Sequence, residues 1–328
     1  MNRLMIYGAT GYTGKMAAVE AAAAGLGPVL AGRTQSTLAA VAADLGLEYR
    51  VFDLAEPAET DHALSDIGVL LNCAGPYIRT AEPLMTAAIR TGTHYLDVAA
   101  ELDSYHLAET LESRAVAAGV MLLPGSGGSV AMLGCLAAHA ARRINGGIDH
   151  IEIALHVAGS MSRGSAMSAA ENLTVQCLHR VGGELVEQDP QSTQMFDFGQ
   201  GPAVCFPATL PDLVSLWKSA SAPNIDTYVH VSGDAFPEGE LADLPDGPTK
   251  EEREANRYQA SVVVTGTSGQ LTRATLDTVN GYTFTPVAAV EAAGRVLGGE
   301  HRPGFRTPAG LFGYRFAETI ADTRIVDQ

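Results

Sequence analysis

The chain has 328 residues, 46% hydrophobic and 18% charged, which is long enough to bury two separate cores and too apolar for wholesale disorder. Its formal charge of −16, with Lys and Arg occurring singly or in pairs, leaves no basic run for a phosphate backbone and excludes nucleic acid as a partner. Cysteines at 73, 135, 177 and 205 form no C-x-x-C pair and no zinc-spaced cluster, so no metal is expected and the thiols are read as free, in a reducing cytoplasmic compartment.

The N-terminus offers no signal peptide, because Arg3 is followed by only four apolar residues before a glycine-rich turn. Short apolar runs then recur at about 3–8, 28–32, 48–52, 67–72, 94–98 and 119–124, with Ala-rich helical stretches between them at 14–24, 36–45, 80–91 and 104–118. Six strands with intervening helices predict an α/β, doubly wound parallel sheet of the Rossmann type over 1–124. Residues 115–141 carry no Asp, Glu, Lys or Arg, long enough to span a bilayer, but Pro124 and the run Gly125-Ser126-Gly127-Gly128-Ser129 divide them. We read a buried strand, a loop and a core helix, and no membrane partner.

Beyond this point the pattern changes. From Ile148 to Val157 the residues Ile151, Ile153, Leu155 and Val157 alternate with His150, Glu152, Ala154 and His156, as in a half-solvated strand. Tyr258–Thr267 and Gln270–Val279 join at Ser268-Gly269 as a tight hairpin. These features predict a second, α+β domain with a mainly antiparallel or mixed sheet over 125–283, serving substrate binding and homodimer formation. An acidic, Pro- and Gly-containing stretch at 234–254 reads as a surface excursion or lid. Residues 284–328 read as a C-terminal helical segment packing back on the first domain.

The first glycine turn, Gly8-Ala9-Thr10-Gly11-Tyr12-Thr13-Gly14, follows a strand and opens a helix, as a dinucleotide fingerprint requires. One glycine allows the sharp turn, one lets the backbone approach the pyrophosphate, and one lets helix and strand pack closely. The helix N-terminus then faces the phosphates. The spacing is G-x-x-G-x-x-G rather than the commoner G-x-G-x-x-G. The second strand ends Ala31-Gly32-Arg33-Thr34, with a guanidinium and a hydroxyl where an NAD-specific site places an acid, which favours NADP(H). Asp53 and Leu54 end the third strand, where two readings stand: they border the adenine, or the acid is simply a solvated loop residue.

The fourth strand ends Asn72-Cys73-Ala74-Gly75-Pro76-Tyr77, a tight turn able to approach the nicotinamide ribose. Hydride transfer needs a group that donates a proton or a hydrogen bond as charge develops on the acceptor. The candidates at these strand ends are Tyr77 first, then Asp97, then Tyr95, the last two sharing one face of the fifth strand. A bland alternative stands beside them, in which Tyr95 packs a core and Asp97 caps a helix.

Taken together, the glycine turn, Ala31-Gly32-Arg33, Asn72 to Tyr77, Gly92-Thr93-His94-Tyr95-Leu96-Asp97 and Glu101 resemble the saccharopine dehydrogenase-like oxidoreductases, a family that includes trans-acting enoyl reductases. The segment Pro303-Gly304-Phe305-Arg306-Thr307-Pro308-Ala309 is similar to that family's C-terminal segment. The resemblance implies NADP(H), a Rossmann domain, and a mixed-sheet domain that shapes the pocket and often the dimer. It also implies reduction of an activated C=C or C=N bond in a small organic substrate. Ala99-Ala100 and Gly125 to Ser129 depart from the family where substrate should bind, and no substrate is named by the sequence.

Lysines at 15, 218 and 250 never follow a tyrosine by four, which excludes the Tyr-x-x-x-Lys proton donor of short-chain dehydrogenases. A non-catalytic NADP(H)-binding sensor would keep the glycine turn without a polar pocket over the nicotinamide. The cluster Tyr77, Tyr95, Asp97 and Glu101 favours the enzyme.

Overall fold

The computed structural model describes residues 3–172, 176–233 and 244–328. Its first strands are β1 (Leu4–Tyr7), β2 (Val29–Gly32), β3 (Tyr49–Val51), β4 (Val69–Asn72), β5 (His94–Asp97) and β6 (Met121–Leu123), joined by α1 (Tyr12–Ala23), α2 (Gln35–Leu45), α3 (Pro57–Leu64), α4 (Tyr77–Thr91) and α5 (Leu102–Ala117). There follow α6 (Gly128–Ala141), β7 (Ile148–Ala158), α7 (Arg163–Asn172), β8 (Leu178–Val181), β9 (Glu184–Glu187), β10 (Gln194–Asp197), β11 (Pro202–Pro207), α8 (Asp212–Ala220) and β12 (Asn224–Ser232). The chain ends with α9 (Lys250–Ala255), β13 (Tyr258–Gly266), β14 (Leu271–Thr278), α10 (Gly281–Leu297), β15 (Gly304–Phe305), α11 (Pro308–Phe312) and β16 (Arg324–Asp327).

Two units emerge, one of Met1–Gly128 with Thr285–Arg306, the other of Ser129–Phe284 with Thr307–Gln328. In the first, a parallel sheet runs in the order β15-β6-β5-β4-β1-β2-β3. Strands β1, β2 and β4 are buried along their whole length, which is why they read as continuous apolar runs: helices cover both faces of a parallel sheet. Strand order reverses between β1 and β4, and ligands of open α/β sheets sit at that switch point. In α1 the buried residues Gly14, Ala17, Ala18 and Ala21 recur at helical spacing, and their small size lets the helix lie close on the strands.

The second unit is built on a mixed sheet in the order β10-β11-β12-β7-β13-β14-β16, with β8 on β12 and β9 on β8. Pairing is antiparallel except between β12 and β7. Ile151, Ile153 and Leu155 are buried on one face of β7. The opposite face is only partly solvated, because Ala154 is buried with Phe196, Phe198, Cys205 and Tyr228 beneath the β10–β11 ribbon.

Several expectations change. Helix α3 and strands β8 to β11 were not anticipated, their short stretches carrying little periodicity. The segment 284–328 is not one helical tail: Gly304–Phe305 adds a strand beside β6, whereas Arg324–Asp327 pairs with β14 in the other unit. Each short strand satisfies backbone groups that a sheet edge would otherwise leave open. Of the acidic 234–254 stretch, 234–243 lie outside the described residues, and the remainder leads into α9, where Thr249 and Glu252 form a capping box.

Asp212, the first residue of α8, is fully buried and neither carboxylate oxygen has a hydrogen-bond partner among the described residues. Burial pushes this carboxyl up to about 7. Because the folded value lies above the unfolded one, the group's contribution to stability is complete below about pH 4 and is lost as pH rises through about 7. Asp212→Asn should therefore raise the thermal midpoint at pH 8, by about 2–4 kcal/mol of stability, and the gain should shrink toward pH 4. Thermal unfolding at both pH values checks this, and a gain independent of pH would show that the carboxyl is solvated in the folded chain.

Candidate functional site

At the carboxyl edge of the first sheet the backbone turns sharply at Gly8, whose φ is +81°. A Cβ on Gly8 would lie 2.7 Å from the Ala74 amide nitrogen, and one on Gly14 would lie 2.1 Å from the Gly8 carbonyl oxygen. The amides of Gly8 and Ala9 both donate to the Ala31 carbonyl (2.9 and 3.2 Å), and that of Gly11 to the Gly8 carbonyl (3.0 Å). These bonds fix the turn at the end of β1. Gly11 caps α1 without a side-chain hydrogen bond and the first turn carries no acid, with Thr10, Tyr12 and Thr13 standing around this helix start. The cradle fits a pyrophosphate: small residues where a backbone must come close, and a helix dipole aimed at the charge.

Beside it, β2 ends in Arg33, exposed, and Thr34 caps α2 without using its hydroxyl for the cap. A cation, a free hydroxyl and a second uncapped helix start suit a 2′-phosphate. Asp53 is exposed and binds the Ala55 amide (3.0 Å), while Leu54 is half-buried. One residue escaped sequence reasoning here. Tyr7 packs its ring at a tilt against Phe52, centroids 5.1 Å apart, and burial pushes its phenol up to about 12, with Arg33 pulling the other way.

At the end of β4, Asn72 is fully buried. Its Oδ1 accepts from the Ala74 amide (3.0 Å), and its Nδ2 reaches the Thr80 hydroxyl (3.1 Å) and the Tyr95 hydroxyl (3.1 Å). Thr80 in turn donates to the Ala74 carbonyl at 2.6 Å, so the turn Cys73-Ala74-Gly75-Pro76 is held from both sides. Burial pushes the Cys73 thiol up to about 12, with the Asp97 charge adding to it, which leaves it protonated and no nucleophile.

Tyr95 and Asp97 are brought together but closed off. Both are fully buried. The Tyr95 hydroxyl donates to Asp97 Oδ2 at 2.9 Å, while Asp97 Oδ1 accepts from the amides of Ala99 (3.0 Å) and Gly125 (2.8 Å). The Asp97 carbonyl accepts from the amide and hydroxyl of Ser126 at 2.8 and 2.7 Å. Two candidates for proton donation are therefore engaged in tying the ends of β4, β5 and β6 to one another, because period-two spacing turned them inward together. Burial pushes Asp97 up to about 6, against the lowering effect of the Gly125 and Ala99 amides and the Tyr95 hydroxyl. Tyr77, the first residue of α4, retains 7% exposure, and its hydroxyl lies 3.5 Å from the Asn72 carbonyl. Burial holds its phenol well above the usual range. Thr80, Gly125 and Ser126 complete this network; nothing in the spacing of Thr80 marked it.

Among the described residues no group of three or more His, Cys, Asp or Glu is placed to hold a metal, and no helix is long and apolar enough to cross a membrane. Residues 4–123 match the family described as "Saccharopine dehydrogenase NADP binding domain". A trans-acting enoyl reductase from Mycobacterium leprae (strain TN) is 36% identical over 106 residues, covering 30% of this chain and 25% of that protein. A saccharopine dehydrogenase-like oxidoreductase from Homo sapiens is 28% identical over 144 residues, covering 38% of this chain and 34% of that protein. The matched part thus spans a quarter to a third of the length of these relatives. The solved apo saccharopine dehydrogenase (L-Glu forming) from Saccharomyces cerevisiae shares the fold at a TM-score of 0.66, with 14% identity over 99% of this chain and 100% of that one.

Proposed function

We propose that this chain, whose residues 4–123 match the saccharopine dehydrogenase NADP-binding domain, is an NADP(H)-dependent oxidoreductase of that type that transfers hydride to or from a small organic substrate, reducing an activated C=C or C=N bond in the cytoplasm. The observation carrying this reading is the pairing of the Gly8–Gly14 cradle with a β2 end that presents Arg33 and no acid. NADP(H), when bound, supplies or takes the hydride. The chain's own residues do the rest. Gly8 to Gly14 hold the pyrophosphate, Arg33 and Thr34 the 2′-phosphate, Asp53 and Leu54 border the adenine, and Asn72 to Pro76 shape the nicotinamide end. The homodimer expected from the strand patterns stays part of this proposal.

NADPH should bind more tightly than NADH, and Arg33→Ala should narrow the gap by about 1.5–3 kcal/mol, the size of a charge-assisted contact. Fluorescence titration with both nucleotides tests this. Equal affinities in the parent protein would end the idea.

Of the three expected donors, Tyr77 keeps 7% exposure whereas Tyr95 and Asp97 are wholly buried, and on that difference we assign proton donation to Tyr77 and positioning to the other two. Tyr77→Phe should lower turnover by roughly 10²-fold or more while NADPH affinity stays nearly intact. Unchanged turnover, with hydride transfer shown to limit the rate, would make solvent the proton source. The burial of Tyr95 and Asp97 also favours a second reading, a non-catalytic NADP(H) sensor. Binding of NADPH without oxidation by any of a panel of enoyl, imine and carbonyl substrates would select it.

A further inference from the structure

On the face of the second sheet that carries Ala154, five side chains stand in register across five strands. His230 on β12 faces His156 on β7, His156 faces Gln259 on β13, Gln259 faces Asp277 on β14, and Asp277 faces Arg324 on β16. The hydrogen bonds along this row have one consistent direction. Asp277 Oδ1 accepts from Arg257 Nε and Nη2 at 2.8 and 2.5 Å, and Oδ2 accepts from Gln259 Nε2 at 3.2 Å. A carboxylate only accepts, so the amide nitrogen of Gln259 faces Asp277 and its oxygen faces His156 Nδ1, 2.8 Å away. His156 therefore carries its proton on Nδ1, and Nε2 accepts from the Ser232 hydroxyl at 2.7 Å. The Phe198 ring closes one end, 5.5 Å from His156 and 6.2 Å from His230.

A cavity of about 270 Å³ opens over this row, lined by Phe198, Gln259, Thr275, Asp277, Arg324 and Val326 among others. Its charges do not cancel. Arg257 neutralises Asp277, whereas the Arg324 guanidinium has no hydrogen bond or ion pair among the described residues. The Thr275 hydroxyl has no protein partner there either, although the residue is only 8% exposed. What the cavity offers a ligand is thus a free guanidinium and a hydroxyl, with the Val326 side chain beside them on β16 and the Phe198 ring as a second apolar wall.

We propose that this cavity is a second ligand site, separate from the dinucleotide cradle, for a small carboxylate bearing an apolar or aromatic group. The planar fork of Arg324 matches a carboxylate with two parallel hydrogen bonds, Thr275 supplies a third donor, and the apolar part lies against Phe198 and Val326. The volume lies just under the range of drug-sized pockets, which limits the ligand to a small acid.

Phenylacetate is the probe, titrated calorimetrically into the full chain saturated with NADP⁺ so that the phosphate cradle is already filled. The expected result is saturable binding at one site per chain, weakened about tenfold or more in Arg324→Met, the loss of a charge-assisted pair. Arg33→Ala should leave it unchanged. Thr275→Val should weaken it more mildly, and it keeps the test independent of any folding defect in the first variant. Equal affinity in both the Arg324 and Thr275 variants, competition by inorganic phosphate at matched concentration, or no saturable binding at millimolar phenylacetate would each overturn the proposal.

Discussion

Gly14→Ala should abolish measurable NADPH binding, and Gly8→Ala should come close to it. A methyl group on Gly14 would sit 2.1 Å from the Gly8 carbonyl oxygen and 2.8 Å from the Gly8 carbonyl carbon. These are backbone atoms, so no side chain can swing away, and α1 must lift off the turn that its own N-terminus serves. At Gly8 two penalties combine: the φ of +81° disfavours any side chain, and Cβ would lie within 2.9 Å of three Ala74 atoms. The expected loss of affinity is about 100-fold or more, roughly 3 kcal/mol, since displaced amides cannot meet the phosphates. Gly25→Ala is the control: its φ is +73°, yet nothing lies within 4 Å of the added carbon. It should cost about 1 kcal/mol of stability and leave NADPH affinity unchanged. Fluorescence titration beside thermal unfolding separates the two effects, and normal NADPH affinity in Gly14→Ala would remove the cradle from the binding account.

The second large effect is expected at Asp97. Removing its carboxylate in Asp97→Ala strands the Tyr95 hydroxyl and the amides of Ala99 and Gly125 without an acceptor in a fully buried place. Each orphaned donor costs about 1–3 kcal/mol, and with losses that do not simply add the total should be about 4 kcal/mol. Tyr95→Phe removes one donor to Asp97 and one acceptor for Asn72 Nδ2, and should cost about 1–2 kcal/mol. Burial pushes the Asp97 carboxyl up to about 6 in the folded chain, above its ordinary unfolded value. Its stability contribution is accordingly complete below about pH 4 and lost as pH rises through about 6. Denaturant unfolding of the parent and of Asp97→Asn across pH 4 to 7 should show this decline in the parent alone. Parallel curves would mean that the carboxyl titrates alike in both states.

The carboxyl edge of the first sheet was readable because everything that builds it is local. Leu4 to Tyr7 is a short apolar run, Gly8 to Gly14 follows without a gap, and Arg33 stands one residue beyond Val29–Gly32. Strand, turn and helix start fall within a dozen residues, where periodicity and glycine spacing act directly on the backbone. The chemistry of the fifth strand was not readable in the same way. Period two places Tyr95 and Asp97 on one face, but which face the sheet buries depends on partners far along the chain. Asn72 lies 23 residues from Tyr95, and Gly125 lies 28 from Asp97.

By itself, then, the sequence determined the alternation of strands and helices, the dinucleotide turn, the arginine in place of an acid after the second strand, the half-solvated strand at 148–157 and the hairpin over 258–279. Tertiary structure decided that Tyr95 and Asp97 turn inward, that Gly304–Phe305 and Arg324–Asp327 join different sheets, and that His230, His156, Gln259, Asp277 and Arg324 form one row. The physical reason is shared. A residue's local pattern sets its conformation and its face, whereas hydrogen-bond partners and burial come from strands that meet only on folding, and the cost of leaving a buried polar group unpaired selects among those meetings.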